Sequence, residues 1–396
     1  MNKYENIIQK AKELHPKIVE WRRDFHQHPE VGLKEFNTAK KVEKILQGLG
    51  LETKMLVNGT GVRGYLKGPK PGKTIALRAD MDALPLQEET DVPYKSQNPG
   101  IMHACGHDAH TSMLLAAATI LTQWKNRLPG NVVFIFQPAE EIGDGARAMV
   151  EEGVLEGVDS ILGIHVYSAL AGGTLAYTPG PVLAAGDFFD VKILGKGGHG
   201  GLPQMAVDPI AIAANAITAL QTIVSREVDP LESAVISICK MEAGKGAYNV
   251  IPDSATFGGT IRSHKPELRE FLPKRIEEFL EGITSAMRAK YEFNLMSKFP
   301  PTINDVEMTM FVANLAKDLL GADKVTQMKP MMGSEDFSYY LQKIPGTLVW
   351  LGVENKEKGI IYPQHHPKYE VDEDVLPLGT ALHVAVTMEY LQKNQG

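Results

Sequence analysis

Read for its apolar rhythm, the chain first shows a helix pattern over residues 1–25, "MNKYENIIQKAKELHPKIVEWRRDF". Apolar positions recur there at helical spacing, with charged residues on the opposite face. Short apolar runs then alternate with helical ones. "GVRGYLKG" and "TIALRAD" predict strands, as do "NVVFIF" (131–136) and "SILGIHV" (160–166). "NVVFIF" is β-branched and aromatic with almost no polar alternation, as in strands buried on both faces. Helices are expected near 35–48 and 109–125. This order predicts an α/β class with a largely parallel central sheet.

The pattern changes after the Pro/Gly-rich stretch "TPGPVLAAG" (178–186). "FFDVKILG" predicts a strand, "DPIAIAANAITALQTIVSRE" a helix, and "SAVISICKMEAG" and "SATFGGTIRS" two more strands. "PELREFLPKRIEEFLEGITSAMRAKY" predicts a long helix, irregular near Pro273, and "EFNLMSKF" a last strand. The sequence β-α-β-β-α-β is a ferredoxin-like unit. "FPPTIND" marks a return to the first pattern, with a helix over 306–319, the strand "TLVWLGV" and a terminal helix from about 376. The expectation is a catalytic domain of 1–185 and 301–396, interrupted by an α+β lid domain of 186–300.

Composition narrows the function classes. The 396 residues are 43% hydrophobic and 22% charged, with a formal net charge of −7. A length of this kind suits about two domains. No basic surplus exists to neutralise phosphates, so no nucleic-acid partner is expected. The first 25 residues lack the apolar core of a signal peptide, and "MLLAAATILTQW" (113–124) is too short to span a bilayer. No membrane partner is expected. Two cysteines, Cys105 and Cys239, cannot build a disulfide framework, and a cytoplasmic location is the expectation.

Candidate chemistry collects where open α/β sheets bind ligands, beyond the carboxyl ends of strands. Asp80 and Asp82 follow "TIALR", Glu140 and Glu141 follow "NVVFIFQPA", and His165 follows "SILGI". "IMHACGHDAH" (101–110) precedes a buried helix, and His365-His366 follow the last strand. Each alone has an ordinary explanation: a solvated acidic pair, a core histidine, a surface "HH". Together they offer sulfur, nitrogen and oxygen donors to a zinc-like or manganese-like centre. In paired glutamates one carboxylate can hold a metal while its neighbour takes a proton from water. A cysteine-nucleophile amidase built on Cys105 and a non-catalytic metal-binding module are the rival classes. The first explains neither the paired glutamates nor His165; the second leaves Glu140 without a purpose.

"MHACGHDAH", "FQPAEE", "GIHV", "GKGGHGGLP", "YNVIPD", "GGTIR" and "MMGSEDFSYY" closely resemble the M20 metallopeptidase family. The likeness is to its amidohydrolase branch of N-acyl-amino-acid, hippurate and auxin-conjugate hydrolases, and it extends over essentially the whole chain. It implies a zinc-peptidase-like catalytic domain with an inserted lid, and a homodimer or homotetramer formed through that lid. It implies two divalent ions (Zn, Mn, Co or Ni) held by Cys105, His107, Glu141, His165 and His365, with His366 the fallback. Glu140 matches the general base. Asp82 matches a group that orients a histidine ligand, and Asp80 departs from the wider family's histidine. His103 and His110 are left to packing or support, and Asp108 to capping the next helix. In the lid, His199 matches a residue that reaches the scissile carbonyl; Asn249 and Arg262 match substrate-holding residues. Met331-Met332 are weighed as an adaptable apolar wall. The implied activity is hydrolysis of N-acyl-L-amino acids. A carboxypeptidase or dipeptidase, or an N-acetyl-diaminopimelate deacetylase, of the same fold is the alternative.

Overall fold

The computed structural model describes residues 3–244 and 246–395. The chain divides into two compact units, 1–180 with 303–329 and 336–396, and 181–302 with 330–335. The second unit thus begins a few residues earlier than the sequence pattern placed it, and it also takes in 330–335, which carry no strand or helix rhythm.

The first unit is built on an eight-stranded sheet. Across it the strands run Glu52–Leu56, Gly61–Leu66, Asn131–Gln137, Thr74–Asp80, Ser160–Ala171, Gly346–Glu354, Leu175–Tyr177 and Val325–Gln327. The four central strands are mutually parallel, with Ala76 opposite Val133 and Ile161, and Trp350 opposite His165. Antiparallel pairs flank them on both sides. The central strands are buried along most of their length; Thr74–Asp80 is buried throughout. That is why their sequences lack polar alternation.

Helices cover this sheet. His107–Gln123 is buried at almost every position, and Leu376–Lys393 nearly so, so both read as apolar all round. The N-terminal pattern resolves into two helices, Glu5–Glu13 and His15–Gln27. Pro16, one residue inside the second, is a good helix start but a poor continuation of the first.

In the second unit four antiparallel strands lie in the order Ala234–Ala243, Ser254–Ser263, Ala185–Leu194, Lys290–Phe299. Helices Pro209–Glu227 and Pro266–Ala286 pack on this sheet through a core that includes Phe189, Ile212, Leu220, Phe257 and Ile276. The expected irregularity at Pro273 does not occur: the helix runs continuously from Pro266 to Ala286 with Pro273 buried. Burial of Leu272, Ile276 and Leu280 on the same side offsets the one hydrogen bond that proline removes.

Candidate metal centre

One turn delivers the thiol and the first imidazole. Gly106 (φ +90°) is the N-cap of helix His107–Gln123, with no side-chain cap. A Cβ at Gly106 would lie 2.4 Å from Val166 Cγ2 and 2.9 Å from the Tyr369 hydroxyl. Only glycine fits this turn and this approach, and the turn directs Cys105 and His107 into one buried pocket. Asp108 therefore does not cap the helix. It sits inside the first turn, where its carboxylate accepts from Arg22 Nε at 2.9 Å and from His26 Nδ1 at 2.8 Å. Burial would raise this carboxyl; Arg22 and His26 reverse that and hold it far below the usual carboxylate range.

The imidazoles are oriented by what their Nδ1 atoms bond. His107 Nδ1 donates to the Asp82 carbonyl at 2.9 Å and lies 3.2 Å from Asp82 Oδ1. Its Nε2 is buried without a hydrogen-bond partner among the described residues. Asp82 Oδ2 accepts from the Glu141 backbone N–H at 3.0 Å. One carboxylate thus aims both a histidine and the glutamate loop, a common arrangement behind metal ligands. His165 Nδ1 donates to the Val166 carbonyl at 2.6 Å, and its Nε2 lies 3.6 Å from Cys105 Sγ. Burial, with His110 beside it, pushes His165 well below the ordinary histidine value, so its Nε2 lone pair is available.

The glutamates come from the loop after strand Asn131–Gln137. Glu141 lies 4.0 Å from His107 Nε2 and 3.5 Å from His365 Nε2, and Glu140 lies 3.9 Å from His107 Nε2. Glu141 Oε1 is buried without a hydrogen-bond partner among the described residues. Burial pushes Glu141 up to about 7; His107 opposes this, and Asp82 and Asp80 add to it. Burial and Glu141 likewise push the Cys105 thiol well up. A pocket with this density of acidic groups is one that a cation stabilises.

Donor atoms of Cys105, His107 and Glu141 lie within 4.8 Å of one another, as do those of Asp80, His107, His110 and His165. The second group is narrower than it looks. His110 Nδ1 donates to Asp80 Oδ1 at 2.5 Å and its Nε2 accepts from Val166 N–H at 2.8 Å, so neither nitrogen is left for a metal. Asp80 is also paired with Arg78 at 2.6 Å. Burial would raise Asp80; Arg78, His107 and His110 hold it well below the usual range. His110 and Asp80 thus form a hydrogen-bonded wall beneath His107 and His165. The remaining donors, one sulfur, imidazole nitrogens and a carboxylate, suit a divalent transition metal.

Of the two late histidines, His365 faces Glu141, while His366 stacks on Tyr362 at 4.4 Å and accepts from Lys368 N–H. His103 is buried with both nitrogens unpartnered among the described residues, and burial pushes it down to about 4. Residues that carry the arrangement without a sequence signal include Glu35, Arg22, His26 and Gln364. Arg22 and His26 stand in "RRDFHQHPE", where a helical face accounted for them; Glu35 and Gln364 have no local pattern at all.

Described by itself, the second unit places His199 and Asn249 together. Gly198–His199 pairs antiparallel with Val250–Ile251, and Gly200 N–H donates to the Asn249 carbonyl at 2.7 Å. His199 is exposed, and its Nδ1 accepts from Gly201 N–H at 3.0 Å, so Nε2 carries the ring hydrogen. Among the described residues Arg262 is paired with no carboxylate side chain. It donates to Ser334 Oγ at 3.0 Å and lies 5.3 Å over the Phe188 ring.

Residues 76–389 match the model of peptidase family M20/M25/M40. The chain belongs to that family. It is 47% identical to IAA-amino acid hydrolase ILR1-like 4 of Arabidopsis thaliana, over 94% of this chain and 86% of that one. It is 41% identical to thermostable carboxypeptidase 1 of Saccharolobus solfataricus, over 99% of this chain and 100% of that one. Among solved structures, a dinuclear metal-binding M20 peptidase of Bacillus subtilis superposes with a TM-score of 0.84 at 36% identity, covering 96% and 99% of the two chains. As an M20 member the chain is a metal-dependent hydrolytic enzyme, on a dinuclear metallopeptidase fold. No helix among the described residues is long and apolar enough to cross a membrane.

Proposed function

We propose that this M20 enzyme hydrolyses the amide bond of N-acyl-L-amino acids, releasing a carboxylic acid and a free amino acid. The observation that carries the reading is the division of labour between adjacent glutamates. Glu141 places Oε1, buried and without a hydrogen-bond partner among the described residues, near His107, and Oε2 near His365, while Glu140 presents a second carboxylate 3.9 Å from the His107 imidazole. Cys105, His107, Glu141, His165 and His365 would hold two divalent ions, zinc, manganese, cobalt or nickel. Bound there, the ions supply Lewis acidity toward the amide carbonyl and toward water.

The side chains then act as follows. Glu140 takes a proton from the attacking water as its oxygen bonds to the acyl carbon. As the C–N bond breaks, the same carboxyl returns that proton to the leaving nitrogen. Asp82 keeps His107 in the Nδ1–H tautomer and holds the Glu141 peptide. His199, with its hydrogen on Nε2, is assigned to the developing oxyanion. Arg262 and Asn249 are assigned to the substrate's free carboxylate, for which a guanidinium fork is well shaped. The enzyme is taken to work in the cytoplasm as a homodimer or homotetramer.

A carboxypeptidase reading shares every metal donor and is favoured by the carboxypeptidase relative. The test is a substrate panel: N-acetyl-L-methionine, N-benzoylglycine and an unblocked dipeptide. The proposal expects kcat/KM for an N-acyl substrate to exceed that for the dipeptide by at least about tenfold, or about 1.4 kcal/mol. The reverse order supports the peptidase.

A further inference from the structure

The loop that carries both glutamates is held from behind by a residue outside the centre. Ala139 has φ +54°, a left-handed conformation that costs a residue with a Cβ about 1–2 kcal/mol. Its N–H donates to Glu35 Oε1 at 2.8 Å, across 104 residues of sequence. Its carbonyl accepts from the N–H groups of Asp144 and Gly145 at 3.3 and 3.2 Å. The segment leading to Glu35 also presses on Ala139: a Cβ on Gly32 would lie 3.2 Å from Ala139 Cα. The Glu35 side chain is fully buried, and its Oε2 has no partner among the described residues. A buried acid is expensive to maintain, and packing alone would be served by an apolar residue of the same length.

We propose that Glu35 is a positioning residue for hydrolysis: by pinning the left-handed Ala139 peptide it fixes where the Glu140 and Glu141 carboxylates point. This rests on Glu140 being the base. Burial, reinforced by the charge of Asp82, pushes Glu35 up to about 8, so near neutral pH it is chiefly a neutral acid. A neutral amide of the same shape replaces it with the acceptor retained.

The test compares Glu35→Met, which fills the space without an acceptor, with Glu35→Gln, which keeps one. The substrate is whichever member of the panel above the wild-type enzyme cleaves fastest. Glu35→Met is expected to lower kcat about 10- to 100-fold, with KM within about twofold and metal content per chain unchanged. Glu35→Gln is expected to stay within about threefold of wild type on the same scale. Wild-type kcat in Glu35→Met, or equal losses in the Met and Gln variants, overturns the proposal. If Glu35→Met does not fold, Glu35→Asp takes its place, since a carboxyl one methylene shorter cannot reach Ala139 N–H; wild-type kcat there overturns it equally. Glu140→Gln is assayed in parallel. Undiminished turnover in Glu140→Gln removes the base assignment. Normal turnover in Glu35→Met beside an inactive Glu140→Gln removes only the positioning role.

Discussion

Gln364 donates from its Nε2 to the carbonyl oxygen of Val166 at 2.9 Å. The same oxygen accepts from His165 Nδ1. One peptide carbonyl therefore aligns the His165 ring and the segment that ends in His365, whose own N–H donates to the Ala104 carbonyl at 2.8 Å. His365 has φ +65° and is more than half exposed, so it has little packing to hold it. Gln364→Ala is expected to weaken divalent-metal affinity about 10- to 100-fold, with the melting temperature of the metal-free chain nearly unchanged. Calorimetric metal titration checks this, and unchanged affinity would show that His365 needs no such tether.

Removing metal separates the reaction classes. Treatment with a strong chelator is expected to abolish turnover, and re-addition of zinc, manganese, cobalt or nickel to restore it. Activity that survives complete demetallation, measured by elemental analysis, would favour a Cys105 nucleophile instead.

Glu140→Gln is expected to retain metal and to lower kcat about 10²- to 10⁴-fold, the usual range for loss of a general base. Elemental analysis and steady-state kinetics together check this.

Gly106→Ala strains the chain at a left-handed position and forces a Cβ against Val166 and Tyr369. A loss of about 1–3 kcal/mol is expected from overpacking and strain, read as a lower melting temperature, together with weaker metal binding. A variant as stable as wild type would mean that the turn before His107 is not fixed.

The contribution of Glu35 to the stability of the metal-free chain should fall as pH rises from about 5 to 8. The folded chain keeps a proton on Glu35 up to about 8, whereas the ordinary value is 4.5. Above 4.5 the unfolded chain binds fewer protons than the folded one, so the contribution is full below 4.5 and lost on approach to 8. The slope from this one group reaches at most about 1.4 kcal/mol per pH unit. Urea denaturation of wild type and Glu35→Gln across this range checks the sign. A stability difference between them that does not change with pH counts against it.

Much of this architecture is visible in the chain's local rhythm, because burial on both faces of a strand or helix leaves a continuous apolar run. "NVVFIF" and the helix after His107 are read for that reason. Cys105 and Glu141 stand in turns and His107 at a helix start, where polar residues interrupt such runs, whereas His165 lies inside the strand Ser160–Ala171, which continues past the run "SILGI". What stayed hidden depends on distant partners. Glu35 meets Ala139, Gln364 meets Val166, and Arg22 meets Asp108 across 86 residues. Asp108 has the composition of a cap, and a cap was a sound local expectation; only the arrival of Arg22 and His26 from another helix reassigns it. The membership of 330–335 in the second unit likewise leaves no periodic trace.

The parallel pairing of Gly346–Glu354 with Ser160–Ala171 has a consequence for synthesis. Trp350 lies beside His165 in that pairing, and His365 follows shortly after. During translation the strand that carries His165 can pair with Thr74–Asp80 at once, but it waits for nearly two hundred further residues before its second neighbour exists. Such long closure is slow. A nascent chain cut short before Gly346 would expose the flank of the central sheet, and the metal centre is assembled only after His365 has been made.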